Sequence, residues 1–146
     1  MEGPTVSDRN DWNQRVIEEF RANGGNVAQF RTIPLLLLHH TGARSGRSYI
    51  NPLAYLDDGG DDGGRWVIFA SKAGSDTNPD WYHNLVAHPD VMVELGGQPP
   101  VAAKATVAQG AERERLYDAQ VAKVPVFAEY RAKTSRVIPV VVLERA

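Results

Sequence analysis

The sequence predicts an α+β protein: a small, mostly antiparallel β-barrel of about six strands with roughly three or four helices packed on it. Two observations carry that expectation. Short runs rich in Leu, Ile, Val or aromatics occupy 35–40, 48–57 and 65–71, and strand patterns return at 91–95, 101–107 and 137–143. Helical patterns do not alternate regularly with these runs, so the crossovers of a doubly wound parallel sheet are missing. No repeat or linker divides the 146 residues, and that length suits a single domain with a real core.

Composition narrows the function classes. With 42% hydrophobic and 23% charged residues, the chain is globular and not disordered. Sixteen basic against eighteen acidic residues give a net charge of −2, which is no footprint for general nucleic-acid binding. The absence of cysteine excludes disulfides and thiolate chemistry and fits a reducing compartment. Met1-Glu2-Gly3-Pro4 lacks the basic and apolar regions of a signal peptide, and no apolar run is long enough to span a bilayer. A cytoplasmic protein is expected.

Taken in order, residues 1–10 read as a flexible N-terminus, and Asp11 with Gln14 resembles a capping box that starts a helix near Trp12. Trp12, Val16, Ile17 and Phe20 share one face, and Gly24-Gly25 stops the helix. The opposite face mixes both charge signs, which favours packing on a sheet over membrane or partner contact. Residues 26–34 read as a loop or short edge strand ending at Pro34. The insert Asp57–Gly64 reads as a solvated, flexible hairpin connection, since its aspartates lack the closing Glu of a calcium loop. Asn78-Pro79 caps a helix over 79–87, with Trp81 and Leu85 on its core face and Tyr82 and Asn84 free for a ligand. A helix over 111–123 ends before Pro125, and a short helical piece follows over 126–132. Pro139 argues that the final strand, 137–143, is an edge or carries a bulge.

Gly42-Ala43-Arg44-Ser45-Gly46-Arg47-Ser48 superficially resembles a phosphate loop. Its glycine spacing is one short, Arg47 replaces the lysine, and a strand follows instead of a helix. A nucleotide triphosphatase is therefore not expected, while a hairpin with solvated arginines and an anion-binding turn stand level. His39 and His40 point to opposite faces of a strand, and His83 and His88 are five apart, so no metal site is expected. Ser45 and Ser71 lack a nucleophile elbow. Lys72, at a strand end beside a glycine turn, reads either as a solvated cation or as an anion contact.

The pattern T-G-x-x-S-G-x-x-x-x-N-P at Thr41–Pro52, followed by A-S-K-x-G-x-x-x-N-P-x-W-Y-x-N-L at Ala70–Leu85, resembles the deazaflavin-dependent nitroreductase family, also described as F-420-dependent quinone reductases. The resemblance covers about residues 10–144, including Ile138-Pro139-Val140-Val141-Val142. It implies a split β-barrel of the flavin-reductase and pyridoxamine-oxidase type that binds coenzyme F-420, an 8-hydroxy-5-deazaflavin. Carried over by position, it places Arg44 and Ser45 on the phosphate side of the coenzyme and Asn51 and Pro52 along its ring, with Tyr49 a further coenzyme contact. Ala70, Ser71 and Lys72 would hold it from the next strand, and Trp81, Tyr82 and Asn84 would close the pocket. Relatives carry tyrosines beside the substrate where this chain has Val124 and Phe127, so Val124, Phe127 and Tyr130 would form a more apolar acceptor wall.

The coenzyme's phosphodiester and oligoglutamate require cations and open backbone N–H groups, and the deazaflavin performs the hydride transfer itself. The resemblance therefore implies a reductase passing hydride from reduced F-420 to a quinone-like or other conjugated acceptor. Tyr130 is the first candidate proton donor, ahead of Tyr82 and Ser71. A non-catalytic F-420 carrier and a flavin-mononucleotide oxidoreductase on the same barrel are the alternatives. Peripheral membrane contact for quinone access and the oligomeric state stay open.

Overall fold

A computed structural model describes residues 6–30, 33–59 and 63–146. The elements run α1 (Val6–Ala22), β1 (Leu35–Thr41), β2 (Ser48–Asp57), β3 (Arg65–Phe69), α2 (Asp80–Ala87), β4 (Asp90–Glu94), β5 (Val101–Val107), α3 (Gly110–Lys123), α4 (Val126–Lys133) and β6 (Val140–Arg145). The strands close a barrel in the order β1-β2-β3-β6-β5-β4. Each pairing is antiparallel, including the one between β4 and β1 that completes the ring.

Why four consecutive leucines are needed follows from the pleat. Leu36 and Leu38 point into the barrel beside Trp66, Ile68, Val91, Val93, Val141 and Leu143. Leu35 and Leu37 point outward and lie under Val16, Ile17 and Phe20 of α1. A strand covered on both faces reads as a continuous apolar run instead of an alternating one. Each buried leucine stabilises the fold by roughly 1.5–3 kcal/mol. On the opposite flank, α3 and α4 lay Leu116, Tyr117, Val124 and Phe127 over the outward Val67, Phe69, Val140 and Val142.

The remaining helix, α2, closes one end of the barrel. Its Trp81 and Leu85, one turn apart, belong to the same interior cluster as Leu38 and Val93. Their core role matches the spacing read from the sequence. The other end opens into a cleft of about 500 Å³ near Leu35, Tyr55, Leu95 and Arg145, remote from both small-residue turns.

Four elements refine or correct the sequence reading. Helix α1 begins at Val6, so Asp11 lies inside the helix and is not its cap. It thereby takes in residues 6–10, assigned above to the flexible terminus, and no Gly or Pro interrupts 6–22. Residues 1–5 of that terminus lie outside the described residues. Within 26–34, Ala28–Phe30 forms one 3₁₀ turn, which agrees with the loop alternative and not with the edge strand. Of the Asp57–Gly64 connection, residues 60–62 lie outside the described residues. Its first end is fixed: Asp58 accepts from Arg65 Nε at 2.8 Å and from both terminal nitrogens of Arg115 at 3.3 Å. The final strand begins only at Val140 and pairs on both sides, with β3 and β5, so it is no edge. Pro139 sits just before the ladder, where its missing N–H costs nothing, and its carbonyl accepts from Ala70 N at 2.9 Å.

One backbone crossing has no room to spare. A Cβ on Gly96, at the turn after β4, would collide with the carbonyl of Gly24 and approach Gly25 Cα at 2.8 Å. Gly96→Ala must push two backbones apart, and overpacking of this kind costs about 1–3 kcal/mol. Thermal denaturation should show a clearly lower midpoint for Gly96→Ala, and an unchanged midpoint would refute this account of the crossing.

Candidate functional site

The first turn, residues 42–47, joins β1 to β2. It is closed by Gly42 N donating to Arg47 O at 2.8 Å and Gly46 N donating to Gly42 O at 3.0 Å. Ser45 Oγ accepts from Arg47 N at 3.2 Å, inside space that a Cβ on Gly42 would occupy. Gly46 adopts φ +70°, a left-handed conformation that glycine enters without steric cost. Arg44, Ser45 and Arg47 are exposed. Among the described residues, no protein acceptor takes the N–H of Arg44 or Ser45. The Tyr49 ring, 43% exposed, stacks on His40 at 5.7 Å between centroids, with its hydroxyl 3.4 Å from Ser45 Oγ.

A buried polar chain holds this turn to the barrel. Asn84 Oδ1, from α2, accepts from Ala43 N at 2.8 Å, and Asn84 Nδ2 donates to His40 Nδ1 at 3.0 Å. His40 Nε2 then lies 2.7 Å from Asn51 Oδ1. An acceptor at Nδ1 and a donor at Nε2 define one neutral tautomer, so the network assigns His40 as neutral. Burial holds its pKa below the usual 6.5, opposed by the Asn51 bond and reinforced by His39. His39, on the opposite face, meets Glu94 Oε1 at 3.0 Å, and Arg21 of α1 clamps the same carboxylate with two bonds of 2.9 Å. That pair of hydrogen bonds, with His39 adding to it against the cost of burial, holds the Glu94 pKa below the usual carboxylate value.

The second turn follows β3. Ser71 is right-handed helical (φ −73°, ψ −37°), and then Lys72 (φ 46°), Ala73 (φ 55°, ψ 31°) and Gly74 (φ 81°) are all left-handed. Left-handed backbone costs a non-glycine residue roughly 1–2 kcal/mol, so Lys72 and Ala73 are strained. A right-to-left succession turns consecutive N–H groups toward one side and forms a nest that receives anions. Among the described residues, the N–H groups of Ser71, Lys72 and Ala73 have no protein acceptor. The exposed Lys72 ammonium, 3.2 Å from Thr77 Oγ1, stands at the rim. This donor set suits a phosphate or carboxylate. Gly74 lies against α4, where a Cβ would meet Lys133 Cβ at 3.0 Å and the Tyr130 carbonyl at 3.1 Å.

Several residues expected to touch a ligand are already engaged by the protein. Asn84 is buried, and both ends of its amide are used. Asn51 pairs with Leu38 and points inward, whereas Pro52 pairs with Leu37 and points outward, so the two do not share a face. Ala70 is fully buried, with its N–H on Pro139 O and its carbonyl on Arg136. Trp81 is a barrel-interior residue. Asn78 does not cap α2 with its side chain, since its Oδ1 accepts from Arg136 at 2.8 Å. Tyr82 is half-buried against the interior cluster, with its ring 5.6 Å from that of His83.

Val124 and Phe127, expected on the acceptor wall, are 8% and 6% exposed and belong to the core under α3 and α4. The apolar character that suggested a wall serves packing instead. Tyr130, half-buried, rests its ring edge-on against Phe127 at 5.1 Å, and its backbone adjoins the second turn. Sequence reasoning missed His40 and Arg136. His40 carried the signal of alternation, being in register with Leu36 and Leu38, whereas Arg136 had no local signal at all.

The neutral, buried state of His40 makes stability depend on pH. Below about 6.5 the unfolded chain takes up a proton that folded His40 refuses, so stability is full above that value and falls as pH drops toward the lowered folded pKa. The Glu94 contribution is present above its unfolded value of 4.5 and is lost further down, as pH falls through the lowered folded pKa. Thermal denaturation between about pH 5 and 8 should show the midpoint declining below roughly 6.5. His40→Gln should start lower at neutral pH, by about 1–3 kcal/mol for a disturbed buried network, and should flatten that upper decline. An equally steep decline in the variant would remove His40 as its source.

Comparison with known proteins gives the same two turns a family. The sequence profile of the F420H(2)-dependent quinone reductases matches residues 12–145. The F420H(2)-dependent quinone reductase Rv1261c of Mycobacterium tuberculosis is 39% identical over 114 residues, 77% of this chain and 74% of the relative. Among solved structures, the F420-H2 dependent reductase FDR-A is 36% identical with a TM-score of 0.68, over 76% of this chain and 94% of that one. Another, described as a domain-swapped dimer, is 32% identical with a TM-score of 0.69, over 96% of this chain and 100% of that one. The heme storage protein HutZ of Vibrio cholerae, at 12% identity and a TM-score of 0.58 over 92% of this chain and 90% of its own, shares the fold alone. The barrel is thus the split barrel of flavin-reductase and pyridoxamine-oxidase type that the sequence resemblance implied, and the chain belongs to the F420H(2)-dependent quinone reductase family.

Proposed function

We propose that the protein binds coenzyme F-420 across its two turns and reduces a quinone-like or other conjugated acceptor. The observation that carries this reading is the nest at Ser71–Ala73, which offers three N–H groups beside Lys72 in a chain of this family. When bound, reduced F-420 supplies a hydride, and a quinone then needs one proton to become the hydroquinone. Lys72 and the nest hold an acidic part of the coenzyme, and Arg44 with Ser45 holds another at the first turn. Two separated anion sites suit a coenzyme with both a phosphodiester and an oligoglutamate tail. Tyr49 and the half-buried Tyr82 offer aromatic surface near these turns.

Tyr130 supplies the proton in this reading, because it adjoins the second turn and retains partial exposure. Ser71 and Tyr82 are the weaker donors: Ser71 is nearly buried, and Tyr82 packs on the interior. Quinones are the acceptors proposed ahead of nitroimidazoles, in keeping with the description of the family. Among the described residues no helix is long and apolar enough to cross a membrane. A cytoplasmic protein that meets quinones at a membrane surface is the arrangement proposed.

The binding test is a titration with oxidised F-420 and with flavin mononucleotide, followed by tryptophan fluorescence. F-420 should bind markedly tighter, and comparable or tighter flavin binding would overturn the reading. Lys72→Ala and Arg44→Ala should each weaken F-420 binding by roughly 10- to 100-fold, most strongly at low salt, with little change in thermal midpoint. Full affinity in both variants would return the turns to ordinary solvated hairpins.

Turnover is followed by the oxidation of reduced F-420 with a quinone or a nitroimidazole. Wild type should reduce the quinone faster. Tyr130→Phe should lower quinone turnover by up to roughly 10²–10⁴-fold if the phenol is the general acid. An unaltered rate would leave solvent as the donor.

A further inference from the structure

The carbonyls of the second turn converge on one side chain. Arg136, in the loop between α4 and β6, donates from Nε to Ser75 O at 2.8 Å and from Nη2 to Ser71 O at 2.9 Å. Its Nη1 donates to Ala70 O at 3.0 Å and to Asn78 Oδ1 at 2.8 Å. Four acceptors spread over Ala70–Asn78 are thus held by one planar group. They bracket the left-handed residues Lys72, Ala73 and Gly74, and the last of them leads directly into α2.

We propose that Arg136 is a positioning residue: its guanidinium gathers the carbonyls of Ala70, Ser71 and Ser75 and thereby holds the opposite, N–H-bearing side of the turn open as an anion nest. This inference rests on the reading of that nest as part of the F-420 site. The physical logic is local. A peptide's C=O and N–H point in opposite directions, so fixing the carbonyls on one side presents the N–H groups on the other. Lys72 and Ala73 have no reason of their own to remain left-handed, because both are more stable elsewhere. The bonds within the turn, Gly74 N to Ser71 O at 2.8 Å and Ser75 N to Lys72 O at 3.1 Å, close it but do not tie it to the rest of the fold. Arg136 supplies that tie. Only a rigid fork with several donors can serve these acceptors at once, so lysine is no substitute. Arg136 touches no ligand in this scheme and acts only through the turn.

The test compares wild type, Arg136→Lys, Ala73→Gly and the double variant. F-420 affinity is read by tryptophan fluorescence, turnover by reduced F-420 oxidation, and turn opening by amide hydrogen exchange at Gly74 and Ser75. Arg136→Lys should weaken F-420 binding by about tenfold or more, the equivalent of one charge-assisted contact, and speed exchange at both amides. The quinone KM at saturating coenzyme should stay unchanged. Ala73→Gly in the Arg136→Lys background should recover part of the lost affinity, since glycine adopts the left-handed conformation freely. A merely structural staple would not be repaired by that change.

Unaltered affinity and exchange in Arg136→Lys would overturn the proposal, as would loss of affinity that Ala73→Gly leaves untouched. Should Arg136→Lys fail to fold, Asn78→Ala removes a single acceptor and must still speed exchange at Ser75 for the proposal to stand. If wild type does not bind F-420 at all, the coenzyme reading fails, while the exchange data still decide whether Arg136 sets the turn.

Discussion

A neutral imidazole at the mouth of an apolar barrel must find partners for both ring nitrogens, and much of the structure depends on how His40 does so. Its Nε2 is met by Asn51 within the barrel wall and its Nδ1 by Asn84 of α2. The second bond places α2, because Trp81 and Leu85 supply apolar burial but no direction. Hydrogen bonds supply the direction and make any other rotation of the helix strand a buried polar group. Once α2 is placed, the other end of the Asn84 amide takes Ala43 N and fixes the first turn. A single buried network thus connects the barrel wall, the closing helix and an exposed pair of arginines.

The second turn is controlled from the segment that leads into α2. Strain at Lys72 and Ala73 amounts to roughly 1–2 kcal/mol each, a cost that persists only where the surroundings over-determine the backbone. Two contacts do so here: Gly74 is wedged against Tyr130 and Lys133, and Arg136 binds the surrounding carbonyls. Arg136 also bonds Asn78, two residues before α2 begins. The first turn is therefore braced by Asn84 within this eight-residue helix and the second by the segment that leads into it. Motion of that helix would disturb both, which gives a physical reason for the two motifs to occur together.

How much of this was legible in the sequence depended on whether the cause was local. Strand ranges and the two turns were legible because periodicity and glycine placement are short-range properties, and β2 and β5 fall where the pattern put them. The opposite orientations of His39 and His40 followed from the pleat. The start of α1 was not legible, since Asp11 suits a cap equally well as a first-half helix position. Pro139 misled because a proline just before a strand and one at an edge look alike in sequence. At the site, the residue types were visible but their directions were not. Asn84 was expected to face a ligand and instead spends its amide on Ala43 and His40, a fact that needs residues forty positions apart to be seen together. Arg136 is the extreme case, since every partner lies more than fifty residues away.

The same distinction changes how Val124 and Phe127 are understood. Both lie in α3–α4 packing, where Phe127 meets Phe69 edge-on at 5.6 Å and its carbonyl accepts from Tyr117 Oη at 2.7 Å. Burial on that scale is worth several kcal/mol for an aromatic ring and its partners, so exposing Phe127 to an acceptor would cost more than a loose contact returns. Phe127 also supports the Tyr130 ring, which lies edge-on to it at 5.1 Å. A tyrosine at position 127 would have to bury its hydroxyl or swing outward, and either outcome moves Tyr130 relative to the second turn. The consequence of phenylalanine here is therefore one of packing: its ring is buried with Phe69 and Tyr117 and lies edge-on against Tyr130.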